Sequence, residues 1–202
     1  ALAMLAAIIM LAERTGSYLL SHLLAAPPAS SGYLQVAVVL VLVGALSKSA
    51  IVPFHFWLPG AMAAPTPVSA YLHAAAMVKA GVYLVARLAP GFGSFTGWQI
   101  AVISLGLLTM VVGGWRSLRE LDLKLILAFG TVSQLGFLTV LVGFGDANVM
   151  MAGLAMIVAH AMFKAALFMV VGEIDVRAGT RNVSELAGLA RSMPLACATA
   201  VA

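Results

Sequence analysis

Charge is what this sequence has least of. Asp, Glu, Lys and Arg together make up 9% of its 202 residues, where a soluble domain carries about 25%. With 63% hydrophobic residues and a mean hydropathy of +1.09, that scarcity excludes an ordinary water-facing surface and points to a lipid bilayer. Cysteine is nearly missing. Cys197 stands alone, so no internal disulfide framework can form. The 7 acidic residues form no carboxylate cluster suited to a hard cation, and no residue here is identified as a sodium ligand. His, Cys and carboxylates fall into no triad or zinc spacing, so neither a cofactor nor an enzyme active site is expected. The net charge is +4, yet the basic residues lie inside apolar runs or in short loops. Nucleic-acid binding needs a clustered basic face, which is not present.

What is present is a series of apolar runs. Ala1–Leu11 reads as the tail of a spanning helix and Tyr18–Leu24 as a short interfacial one, followed by a loop over Pro27–Gly32. Spans are predicted at Tyr33–Leu58, from Thr66 to about Leu88, at Trp98–Trp115, Leu121–Gly143 and Val149–Gly172, and a last run enters at Met193. That makes an all-α, polytopic transmembrane bundle with five complete and two truncated spans. Both ends fall inside apolar sequence, so residues 1–202 are expected to be an internal part of a longer membrane subunit. Trp98 and Trp115 flank one span, where interfacial aromatic belts belong. Ser133 and Gln134 are expected to serve as helix-packing glue. Counting loop Lys and Arg, five (116, 119, 177, 181, 191) fall on one side and two (14, 87) on the other. The positive-inside rule therefore puts the loops near 60, 118 and 180 in the cytoplasm.

Ionisable residues inside these runs are the candidate functional groups. Lys48 and Lys79 sit deep in apolar sequence, where a charge costs roughly 2.5–3.5 kcal/mol on insertion scales and normally faces a bundle interior or a wet path. Pro53 removes the helical partner of the Ser49 carbonyl, one residue from Lys48, so the span Tyr33–Leu58 is predicted to be broken there. Broken helices at ionisable residues build ion sites in transporters; a plain kink with Lys48 neutralised by a carboxylate is the alternative. Pro65 and Pro67 enforce the next turn, with Thr66 as cap. His73 and Lys79, six residues apart on one helix, would lie about 120° apart and about 9 Å along it. His160 and Lys164, four apart, share one face. Lys124, in the first turn of its span, can either snorkel to the headgroups or turn inward. A scaffold whose lysines are all paired and inert is the structural alternative to an ion pathway.

These stretches carry a family resemblance. Ser47-Lys48-Ser49-Ala50 through Pro53-Phe54-His55-Phe56-Trp57-Leu58-Pro59, then Ala64-Pro65-Thr66-Pro67-Val68-Ser69-Ala70-Tyr71-Leu72-His73 and Met77-Val78-Lys79-Ala80-Gly81, closely resemble the large A subunit of Mrp-type multisubunit Na+/H+ antiporters. The antiporter-like subunits of respiratory complex I share the pattern less closely. The resemblance implies a fold of fourteen core helices with two inverted five-helix repeats, of which this chain would span the sixth to the start of the twelfth. It implies a proton relay through Lys48, His73, Lys79, Lys124, His160 and Lys164, with helix breaks at Pro53, Pro65 and Pro67. It also implies a multi-pass place in a prokaryotic cell membrane, partner subunits in a hetero-oligomeric complex, and H+ exchanged for Na+ or another monovalent cation. The carboxylate that pairs with the lysine at Lys48 in the family lies on the fifth helix, outside this chain. Relatives usually carry a histidine where Met156 stands, so the relay departs from the pattern there. The alternative within the family is a proton-pumping subunit of complex I or of a membrane hydrogenase.

Overall fold

The computed structural model describes every residue except Pro27, Ala29, Ser30, Ala75 and Ala202, and its described residues are mostly helical. In chain order the helices are α1 (Leu2–Thr15), α2 (Leu20–Ala25), α3 (Gly32–Lys48), α4 (Trp57–Gly60), α5 (Thr66–Ala74), α6 (Lys79–Phe92), α7 (Thr96–Ser117), α8 (Leu123–Gly143), α9 (Ala147–Ala178), α10 (Leu189–Ser192) and α11 (Pro194–Val201). Short 3-10 turns flank α4 and precede α10. Of the expected loop over Pro27–Gly32, Pro27, Ala29 and Ser30 lie outside the described residues, and Ser31 and Gly32 already cap and open α3.

Four helical stretches are long and apolar enough to cross a membrane: Thr66–Phe92 taken through its break, α7, α8 and α9. At 17 residues, α3 extends about 26 Å and falls just short of the roughly 30 Å hydrocarbon core. Asp122 and Asp146 start α8 and α9 by accepting main-chain N–H groups of the first turn, at 2.7 Å from Lys124 and 2.9 Å from Asn148, as N-cap side chains do. α7 and α8 pack backbone to backbone. A Cβ on Gly106 would lie 2.9 Å from the Gly136 carbonyl oxygen, and one on Gly136 would lie 2.5 Å from the Gly106 carbonyl oxygen. Only small residues permit that approach, the usual way apolar helices associate in lipid. Ser133 adds its hydroxyl to the Met110 carbonyl of α7 at 2.8 Å.

Three sequence expectations change. The span Tyr33–Leu58 does not continue past Lys48, and Pro53 is not what ends it. Ala50 takes a left-handed φ of 51°, and the Ile51 N–H closes back on the Leu46 carbonyl at 3.0 Å. This is a Schellman-type stop three residues before Pro53, whose bond to Val52 is cis. The helix from Thr66 is also interrupted: α5 ends at Ala74 and α6 begins at Lys79. The Ala76 N–H reaches the Tyr71 carbonyl, five residues back, at 3.3 Å, so the turn widens where a regular helix would bond four back. The 120° geometry expected for His73 and Lys79 on one continuous helix is therefore not the geometry observed. Trp98, finally, is not an interfacial anchor. It is 1% exposed and its indole N–H donates to the Gly143 carbonyl at 2.8 Å, tying the start of α7 to the end of α8. Trp115 is exposed, with the Arg119 guanidinium 5.7 Å from its ring centre.

The segments near 62, 122 and 182 gather at one end of the bundle. The Leu123 N–H bonds to the Arg181 carbonyl at 3.0 Å and the Val183 N–H to the Leu121 carbonyl at 2.9 Å. Arg181 also reaches the Asp122 and Asp175 carboxylates at 3.3 and 3.7 Å.

Candidate functional site

The inner face of α9 organises the site. Its buried positions include His160, Lys164 and Phe168, spaced by four and so stacked on one side of the helix. α5 and α8 pack against this helix. With the start of α6 they bury five basic side chains: His73 and His160 at 0% exposure, Lys124 at 2%, Lys164 at 5% and Lys79 at 7%. Among the described residues no carboxylate is buried with them.

Main-chain carbonyls take the place of counter-charges. The Lys79 ammonium donates to the Ala74 carbonyl, at the end of α5, and to the Ile157 carbonyl of α9 at 3.2 Å. Val78, the fourth residue after Ala74 and its regular helical donor, lies in the turn between the two helices. The Lys79 side chain serves that carbonyl instead. About one turn further along α9 lies His160, one turn before Lys164 on the same buried face. Lys164 donates to the Leu127 carbonyl of α8 at 3.1 Å, and the Thr131 hydroxyl meets the same oxygen at 2.8 Å. Gly130 leaves room beside it, since a Cβ there would come within 3.2 Å of the Lys164 amine. One turn before Leu127, Lys124 donates to the Ala64 carbonyl at 2.7 Å and to the Met62 carbonyl at 3.2 Å. It turns inward and does not snorkel. Asp122 caps the α8 backbone and makes no bond to the Lys124 amine.

The two buried histidines are different. Among the described residues neither ring nitrogen of His73 or of His160 meets a hydrogen-bonding partner. The His73 ring lies 4.8 Å from that of Phe168, and the edge of Phe163 faces His160 at 5.2 Å. An imidazole nitrogen buried without a bond costs about 1–3 kcal/mol, and the His55 Nδ1 and Gln134 Oε1 atoms share that condition.

Lys48 stands apart from this group. It is the last residue of α3 and is exposed. Pro53, Pro65 and Pro67 lie in or beside the irregular stretch between α3 and α5, with Pro67 already inside α5. Met156 packs against the apolar core. Sequence reasoning missed Ser49, whose hydroxyl donates to the Val78 carbonyl at 2.7 Å, and Thr109, whose hydroxyl accepts the Val52 N–H at 2.9 Å. Their only sequence signal is a hydroxyl in an apolar run.

Residues 1–201 match the family described as the transmembrane region of NADH:quinone oxidoreductase and Mrp antiporters. The probable K(+)/H(+) antiporter A/B subunit of Rhizobium meliloti (strain 1021) is 46% identical over 202 residues, covering 99% of this chain and 20% of that protein. The Na(+)/H(+) antiporter A1 subunit of Staphylococcus aureus (strain JH9) is 42% identical over 209 residues, covering 96% of this chain and 26% of that one. The structure of the Mrp complex from Dietzia sp. DQ12-45-1b superposes with a TM-score of 0.90 at 45% identity, over 96% of this chain and 22% of the matched chain. The chain thus spans about a fifth to a quarter of the length of these relatives.

Proposed function

From the chain's membership of the NADH:quinone oxidoreductase/Mrp antiporter transmembrane family, we propose that it is an internal part of the large A subunit of an Mrp-type antiporter, covering about the sixth to the start of the twelfth core helix. In this reading it sits in a prokaryotic cell membrane, within a hetero-oligomeric complex, and relays protons whose flow drives Na+ or another monovalent cation outward. The family also includes complex I subunits, but the relatives at 42–46% identity are antiporter subunits, which favours antiport over redox-driven pumping. The role is that of a transporter component and not of a catalytic enzyme.

One observation carries the relay: three buried lysines held by main-chain carbonyls and two buried histidines, on α5, α6, α8 and α9, with no carboxylate buried beside them among the described residues. An ammonium has three donors. Lys79 spends two on carbonyls, which leaves one proton to give away. The neutral amine that remains keeps two donors for the same carbonyls and presents a lone pair to take a proton back. Its position is thus held in either charge state. Lys79 touches Ile157, seven residues from Lys164, which puts the two cations on the order of 10 Å apart. His160 lies between them along α9 with both nitrogens free of partners among the described residues, suited to carry the proton across. His73 and Lys124 extend the series at the α5 and α8 sides, and Lys48 joins it from the exposed end of α3, through the carboxylate partner that the family resemblance implies.

The test is made in the complete complex. Lys79→Ala and Lys48→Ala should each abolish antiport in membrane vesicles while the complex still assembles normally. Unimpaired antiport in both variants refutes the relay. Running the wild-type assay with Na+ and K+ separately identifies the exchanged cation.

A further inference from the structure

The two helix breaks are joined by a side chain that the relay itself does not use. Ser49 follows Lys48 at the end of α3 and is 1% exposed. Its hydroxyl crosses to α6 and donates to the Val78 carbonyl at 2.7 Å. Val78 is fully buried and directly precedes Lys79. Hydroxyls in apolar helices usually bond the carbonyl four residues back on their own helix. Thr109, Thr131 and Thr139 all do so, at 2.6, 2.8 and 2.7 Å. Ser49 does not; the Ala45 carbonyl accepts its main-chain N–H at 3.1 Å, and the hydroxyl reaches a residue 29 positions away.

The surroundings keep this bond in place. A Cβ on Gly81, one turn into α6, would fall 1.9 Å from the Ala45 carbonyl oxygen and 2.4 Å from the Ser49 hydroxyl oxygen. Only glycine lets the two backbones meet there. Each flank is tied down separately. The Trp57 indole N–H donates to the Ser47 carbonyl at 3.1 Å, the Val52 N–H to Thr109 at 2.9 Å, and the Lys79 amine to the Ala74 carbonyl. Lys48–Ser49 on one strand of the crossing and Val78–Lys79 on the other therefore form a four-residue junction with one polar link.

We propose that Ser49 is a positioning residue that locks the Lys48 and Lys79 segments into one moving unit, so that a displacement of the chain at Lys48 reaches the backbone of Lys79. This rests on the relay reading above. It adds to that reading a mechanical connection between a lysine at the exposed end of α3 and one in the buried group, which otherwise share no bond.

The test compares Ser49→Thr with Ser49→Val in the complete antiporter complex, since the two side chains share a shape and differ in the hydroxyl. Both should assemble and melt alike. Ser49→Thr should keep the maximal antiport rate within about twofold of wild type, and Ser49→Val should lose at least about tenfold of it with the KM for the cation unchanged. A Ser49→Val rate within about twofold of Ser49→Thr overturns the proposal, as does a defect confined to KM. Should valine prevent assembly, Ser49→Cys takes its place. Its weak S–H donor should cut the maximal rate several-fold, and a wild-type rate there overturns the proposal equally. Lys79→Met runs beside these variants to separate the two ideas. Antiport that survives in Lys79→Met removes the relay itself. Antiport lost in Lys79→Met but equal in the valine and threonine variants removes only the link.

Discussion

Lys124 offers the most direct quantitative check on the site. Its amine ties α8 to the irregular segment that follows α4, through the carbonyls of Ala64 at 2.7 Å and Met62 at 3.2 Å. Replacing it by methionine keeps the length and apolar stem but removes both donors. The Ala64 carbonyl retains a weak contact with the Ser69 hydroxyl at 3.4 Å, so the Met62 carbonyl bears most of the loss. A hydrogen bond from a charged donor is worth about 1.5–3 kcal/mol, and a carbonyl left buried without a partner costs about 1–3 kcal/mol. Taking partial compensation at Ala64 into account, the segment should lose about 2–4 kcal/mol of local stability. Met62 is itself 5% exposed and contributes only its main chain to the contact, so a Met62→Cys reporter leaves the bond intact. Maleimide labelling of that cysteine in vesicles measures how often the segment opens. Adding Lys124→Met should accelerate labelling about 30- to 900-fold, which is those energies expressed as populations. A labelling rate that rises less than about threefold would refute the assignment of the amine to these carbonyls. It would return Lys124 to the headgroup position that its place in the first turn of the span also allows.

Three further expectations concern packing and charge. Trp98→Phe removes the donor to the Gly143 carbonyl and should cost about 1–2 kcal/mol, read as a lower melting temperature of the complex; an unchanged melting temperature contradicts the pin. Gly136→Val pushes two methyl groups into a seam where even a Cβ meets the Gly106 carbonyl oxygen at 2.5 Å, so assembled complex should fall to background on a native gel. Recovery of wild-type amounts would show that α7 and α8 separate more freely than their contact implies. Arg181→Gln breaks two ion pairs whose side chains are about a third exposed, worth at most about 1 kcal/mol together; melting should shift only slightly, and a large loss of stability would mean the pairs are better shielded than their exposure shows.

Local pattern was enough to identify much of the chain. The scarcity of charge placed it in a bilayer, and the long apolar runs located α7, α8 and the start of α9 within about two residues, though α9 runs on past Gly172 to Ala178 and takes in Glu173, Asp175 and Arg177. The i, i+4 spacing put His160 and Lys164 on one face, because helical periodicity is a property of neighbouring residues alone. The same local logic failed where a backbone group finds its partner far along the sequence. Residues 76–78, where the turn lies, carry no proline or glycine to announce a break. The break is stabilised by the Lys79 amine on the Ala74 carbonyl and the Ser49 hydroxyl on the Val78 carbonyl, and the second of these comes from another helix. Pro53 drew attention to the right region, but the stop lies at Ala50, where a left-handed residue closes α3.

By itself the sequence determined the class of solvent, the helical fold, the identity of the candidate basic residues and the family resemblance. These depend on composition and short-range spacing. Only the tertiary structure decided which of those residues meet. It buried His73, Lys79, Lys124, His160 and Lys164, left Lys48 exposed at the end of α3, and turned Trp98 and Lys124 inward. The reason is one of satisfaction: in an apolar medium each carbonyl freed by a broken helix must find a donor, and the donor's address is set by how helices cross, which no single run of residues records.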